Sequence, residues 1–136
     1  MTRRGLLACA ALLALSGAGC QKQKTPEDAV WGKQPCDHCK MVLSEPRHAA
    51  QVITDRGERL FFDDLGCMLE HERAQGGKPA HAWVRSEQGS WIDARQARYA
   101  AGARTPMDYG YASSPVGTLS LEDVKRRIAE RAGASP

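Results

Sequence analysis

From position 47 onward the chain alternates short β-rich runs with helical stripes. "RHAAQVIT" (residues 47–54) and "ERLFFD" (58–63) are short β-rich runs, and Asp55, Arg56 and Gly57 between them supply a turn. This predicts a hairpin. In "DDLGCMLEHERAQGG" the period changes: Leu65, Met68 and Leu69 recur three and four positions apart, Asp63 or Asp64 can cap the first turn, and Gly76-Gly77 can end it. This predicts a helix. A second hairpin follows, "HAWVRS" (81–86) and "WIDA" (91–94), about a turn at residues 87–90. "RYAAG" and the segment around "TPMDYGYASS" read as short strands or extended loop, and "LSLEDVKRRIAERA" as an amphipathic terminal helix capped by Ser120. The order hairpin, helix, hairpin, helix implies an α+β fold, a single small domain built from two ββαβ-like units whose loops meet at a shared seam. No repeat in the sequence marks the duplication.

Ahead of this region the pattern is different. "MTRRGLLACAALLALSGAGC" opens on Arg3 and Arg4, continues through an apolar run over residues 6–15 and reaches Cys20 through small residues, the layout of a bacterial export signal. The run is too short to span a bilayer. A cysteine directly after Gly17-Ala18-Gly19 resembles a lipoprotein signal, in which Cys20 is diacylated, becomes the first mature residue and holds the protein to a membrane face; ordinary cleavage is the alternative. Residues 1–19 are therefore read as the signal peptide, 20–30 as a polar, Pro-containing tether and 31–136 as the domain, which lies outside the cytoplasm.

Composition narrows the function classes. A chain of 136 residues with 42% hydrophobic content is one modest domain. Losing Arg3 and Arg4 takes the formal net charge from +3 to +1, and without a basic stripe nothing points to nucleic acid. Of the five cysteines, Cys9 falls in the signal and Cys20 at the anchor, which leaves Cys36, Cys39 and Cys67. An odd set in an oxidising compartment argues against a pure disulfide framework and toward a thiol with chemistry of its own.

Three chemistries compete for "PCDHCKM". Zinc is one, because Cys36 and Cys39 are two apart in the Cys-x-x-Cys sense while Cys67 and His71 lie four apart on one helical face, together a Cys₃His set. A redox dithiol is the second, although no buried strand leads into Cys36 as thioredoxin-like sites require. Copper(I) is the third, since thiolate and thioether donors select it and every methionine but the initiator, Met41, Met68 and Met107, lies in or beside a motif. Met68 also sits on the apolar stripe as a core residue would, and Met41 before Val42-Leu43 can equally pack. Met107 stands in a polar loop with little reason to hold an apolar side chain. His38 between the cysteines can complete a site, whereas His48 and His81 at strand starts read as surface or capping residues. Asp63 and Asp64 read as helix capping rather than a catalytic pair, and with no Ser-His-Asp order, phosphate-cradling loop or cofactor fingerprint the expectation is a metal-binding accessory protein, not an enzyme.

Taken together, "CDHCKMVL" (36–43), "FFDDLGCMLEH" (61–71) and "TPMDYGYASS" (105–114), with "WIDARQARY" (91–99) between them, resemble the NosL family, the accessory lipoproteins of nitrous oxide reductase. The resemblance implies a periplasmic, lipid-anchored copper(I) metallochaperone supplying apo nitrous oxide reductase. It also implies paired ββαβ-type units similar to the metal-binding part of organomercurial lyases. Carried over by position, it makes Cys39 the cysteine ligand and Met107 the methionine ligand; beside these the residues themselves offer Met41, His38 or Met68 as a third donor, with Cys36 also in the candidate metal set. The chain departs from the family's Cys-Gly-Met by reading Cys39-Lys40-Met41, which implies a less permissive backbone and a cation beside the thiolate.

Overall fold

The computed structural model describes residues 24–133; the signal peptide read over 1–19 and the lipid anchor at Cys20 lie outside them. The described chain is a mixed α+β domain of two antiparallel sheets and two helices. Strands β1 (Ala50–Ile53) and β2 (Arg59–Phe62) form the first hairpin, helix α1 (Leu65–Gln75) follows, and β3 (His81–Arg85) and β4 (Trp91–Asp93) form the second hairpin. Strands β5 (Tyr99–Ala101) and β6 (Tyr111–Ser113) pair by themselves, and α2 (Leu121–Gly133) comes last. The larger sheet runs β2-β1-β3-β4, with Ala50 opposite both Phe62 and Val84. The first half thus follows the ββαβ order. In the second half the order is β4, β5, β6, α2, and β4 is hydrogen-bonded to β3, so that both hairpins share one sheet.

Local chemistry sets the boundaries. The first strand starts three positions later than its sequence pattern, because Pro46 opens a 3₁₀ turn over Pro46–His48, where a fixed φ and a missing N–H suit a turn better than a ladder. Helix α1 begins at Asp64, whose carboxylate accepts from the Gly66 N–H, and ends at Gly76, which takes the left-handed conformation at φ 72°. Helix α2 opens with a reciprocal box: Ser120 Oγ accepts from the Asp123 N–H at 3.1 Å, and the Asp123 carboxylate accepts from the Ser120 N–H at 2.9 Å.

The core lies between the larger sheet and α1, with Ala50, Val52, Phe62, Leu65, Met68 and Leu69 among its buried members. Helix α2 adds Val124 and Ile128, and a Lys125–Glu72 ion pair of 2.6 Å joins the two helices. All four residues of β1 are buried, including Gln51. The reason is a strap of chain on the other face: the Glu27 N–H donates to Gln51 Oε1 (3.1 Å) and Gln51 Nε2 donates to the Glu27 carbonyl (2.7 Å). Arg59 reaches the Thr25 carbonyl at 2.8 Å. Further along, Asp28 accepts from both Arg85 and the Trp91 indole, and the Arg85 guanidinium lies over the rings of Trp31 and Trp91. The described end of the segment read as a tether is therefore packed from Thr25 onward, because its backbone finds the partners that Gln51 and Arg59 offer.

Candidate metal centre

The site is made by a loop and the first turn of a helix. Between Pro35 and Val42, which form an isolated bridge, the chain makes a tight knuckle: the Cys36 N–H donates to the Met41 carbonyl (2.7 Å) and the Lys40 N–H to the Cys36 carbonyl (3.1 Å). Closing it puts Lys40 at φ 66°, the left-handed region. A lysine meets steric resistance there that a glycine would not. The knuckle is held to β2 by Asp37, whose N–H donates to the Phe61 carbonyl and whose carboxylate accepts from the Phe61 N–H at 2.7 Å. Asp37 so serves as a strand partner for the sheet edge.

Opposite the knuckle stands Cys67, on the turn that Asp64 caps. The sulfurs of Cys36, Cys39 and Cys67 all lie within 4.8 Å of one another. Three thiolates on one ion at about 2.3 Å stand roughly 3.8–4.0 Å apart, so small side-chain movements bring the trio onto a metal. These cysteines are free thiols gathered where they can hold a metal ion. Cys36 and Cys67 are fully buried and Cys39 half-buried, which makes Cys39 the most accessible of the three.

Their protons are unequally held. The Cys36 thiol is drawn well below its usual range, first by the hydrogen bond from the Cys67 thiol and then, against burial, by backbone N–H groups of Asp63, Cys39 and His38. Cys67, the donor in that bond, is pushed up by it and by burial. Burial also raises Cys39, with the Met41 N–H opposing. Of the three thiols, Cys36 is therefore the one that loses its proton most readily. Asp63 beside it is pushed up to about 6, chiefly by burial, and its Oδ1 has no hydrogen-bond partner.

The loop carrying Met107 reaches the same end of α1. Asp64 Oδ2 accepts from the Met107 N–H at 3.0 Å, so the cap of the cysteine-bearing helix also ties down the loop. The Tyr109 ring lies flat against Gly66, where a Cβ would fall 1.9 Å from the ring; only glycine permits that approach. Met107 is 39% exposed and Met41 59% exposed, both unusual for a thioether unless the side chain has something to meet. Met68 is 2% exposed and belongs to the core, so packing accounts for its place. With His71 it also lines a groove of about 370 Å³ along α1.

The histidines divide. His71, the fourth donor of the zinc reading, is not part of the sulfur cluster. Its ring meets Phe62 at 5.3 Å and the edge of His38 at 6.2 Å between centroids, and burial, then His38, lowers its pKa. His38 is half-buried on the knuckle. His48 is not the surface residue its position suggested: its side chain is 5% exposed and paired with Glu45 at 3.8 Å, because the 3₁₀ turn folds it inward. His81 stacks on Trp83 with centroids 5.5 Å apart. The sequence pattern missed Asp37 and Tyr109 as organising residues; the glycine in "DDLGCM" was the available signal for the second.

No protein-family model, no curated protein and no solved structure matches this chain.

Proposed function

We propose that the protein is a copper(I) carrier of the NosL kind, held to the periplasmic face of a membrane through lipid on Cys20, which supplies apo nitrous oxide reductase with copper. The observation that carries the reading is the cluster of three cysteine sulfurs with Cys39 as its most accessible member, together with two exposed methionines, Met41 on the knuckle and Met107 on the loop tied to the α1 cap. Soft sulfur donors select copper(I) over harder ions. A carrier must hold its cargo tightly and still release it, which calls for ligands that an acceptor can replace one at a time. Cys39, Met41 and Met107 are the more exposed of the candidate sulfur donors, so an acceptor can replace them first, while Cys36 and Cys67 are buried.

The division of labour follows from burial. Cys39 binds copper(I) as thiolate and is the sulfur an acceptor ligand can approach; Met107 adds a neutral donor, which limits the charge brought into the site. Lys40 stands on the knuckle with its ammonium on the Asp37 carbonyl at 2.8 Å, where it offsets thiolate charge. Titration of the protein with copper(I) against a chromogenic chelator tests the reading. Cys39→Ser is expected to weaken binding at least about a hundredfold and Met107→Leu about tenfold, corresponding to roughly 3 and 1.4 kcal/mol. Unchanged affinity in both variants would sink it.

A further inference from the structure

The cluster has the form of an all-sulfur pocket with three donors, since no histidine or carboxylate among the described residues joins Cys36, Cys39 and Cys67. Its surroundings are acidic: Asp63 lies buried beside Cys36, Asp64 is next to it, and Asp37 shares the knuckle with Lys40. Charge decides which centre can use all three sulfurs at once. Three thiolates around a monovalent cation leave two negative charges unmatched, and around a divalent cation one. Either remainder is costly where two of the sulfurs are fully buried next to carboxylates. A trivalent centre leaves none.

We propose that the three cysteines form a binding site for trivalent arsenic, and for antimony by the same chemistry, taken up as the neutral trihydroxide. The Cys39 and Cys67 thiols each pass a proton to a hydroxide, the hydroxide displaced by the Cys36 thiolate takes its proton from solvent, three waters leave, and three arsenic–sulfur bonds replace three arsenic–oxygen bonds. No oxidant or reductant is consumed. The ligand arrives uncharged by way of half-buried Cys39, and the finished complex is uncharged in its buried seat. The inference rests on the cluster being a site for thiophilic centres and not on copper being the cargo. Because both ligands need Cys39, arsenite also blocks copper loading.

The test is a titration of the full chain, reduced and stripped of metal, with sodium arsenite. Free thiols are counted by alkylation and mass spectrometry while near-ultraviolet sulfur-to-arsenic absorption is followed. One arsenic per chain is expected, with three fewer alkylatable thiols than without arsenite and at least about tenfold weaker binding in Cys39→Ser and Cys67→Ser. Protection of two thiols or none, or Cys67→Ser binding like the unaltered chain, overturns the proposal. Circular dichroism identifies a variant that fails to fold; if Cys67→Ser does, the thiol count and the half-buried Cys39→Ser decide. Copper(I) titration of the same preparation separates the two readings: arsenite failing where copper binds removes this inference alone, and copper failing where arsenite binds removes the carrier alone.

Discussion

Lys40 and Asp108 are non-glycine residues in left-handed backbone, at φ 66° and 59°, and they stand on the two loops that flank the sulfurs. Asp108 tolerates this region through its short polar side chain, and its turn is closed by its own N–H on the Thr105 carbonyl (3.1 Å). Lys40 has no such ease. Lys40→Gly is expected to hold or raise stability, by up to about 1 kcal/mol, while Lys40→Val, β-branched in the same region, costs about 1–3 kcal/mol. Urea unfolding of both variants checks the difference. At this scale the sequence was informative where residue type and spacing act locally: Cys36 and Cys39, the exposed Met107 and the Asp64 cap are visible in their motifs. It was silent where a residue serves a distant neighbour. Nothing in "CDHC" reveals that Asp37 will bond both backbone groups of Phe61, because that depends on how the knuckle docks.

Among the elements, the strap is the feature that periodicity could not show. The β-rich run over residues 47–54 predicts a strand in a hairpin but not that β1 is buried throughout, with the chain from Thr25 to Trp31 packed against it and its neighbours. Gln51 is thus a buried polar residue satisfied by main chain. Gln51→Leu leaves the Glu27 N–H and carbonyl without partners and is expected to cost about 1–3 kcal/mol, with limited proteolysis opening first near residues 25–30. The caps, by contrast, were legible, and the Ser120 box carries a pH signature. Hydrogen bonds from Ser120, first its N–H and then its hydroxyl, hold the Asp123 carboxylate well below its usual range, with Arg126 adding to them. A carboxylate depressed on folding stabilises the fold above its unfolded value of 3.8, and that contribution is lost as pH falls toward the folded value. The gap in melting temperature between the native chain and Asp123→Ala is therefore expected to narrow from neutral pH to about pH 3. A gap that stays constant would assign the effect to helix propensity.

For the molecule as a whole, three stretches far apart in sequence, the knuckle, the start of α1 and the loop through Met107, converge on one end of the larger sheet. The mixed α+β class and the order of elements could be read from hydrophobic period, because each element pays out its own pattern. The sulfur trio came instead from residue type and spacing, and only as part of the Cys36, Cys39, Cys67 and His71 zinc set. Cys67 and His71 share a helical face, which made a four-donor zinc set look natural; but His71 meets the rings of His38 and Phe62 and does not join the sulfurs. The strap has a last consequence at this scale. Packing begins at Thr25, and four residues separate it from Cys20. Fully extended, that leash reaches about 17 Å, whereas a domain of about 100 residues has a radius of gyration of about 13 Å and is wider than the leash is long. In the anchored carrier proposed above, the body cannot swing out to find its acceptor. The search for a partner becomes two-dimensional, and the reductase has to come down to the lipid surface to be loaded.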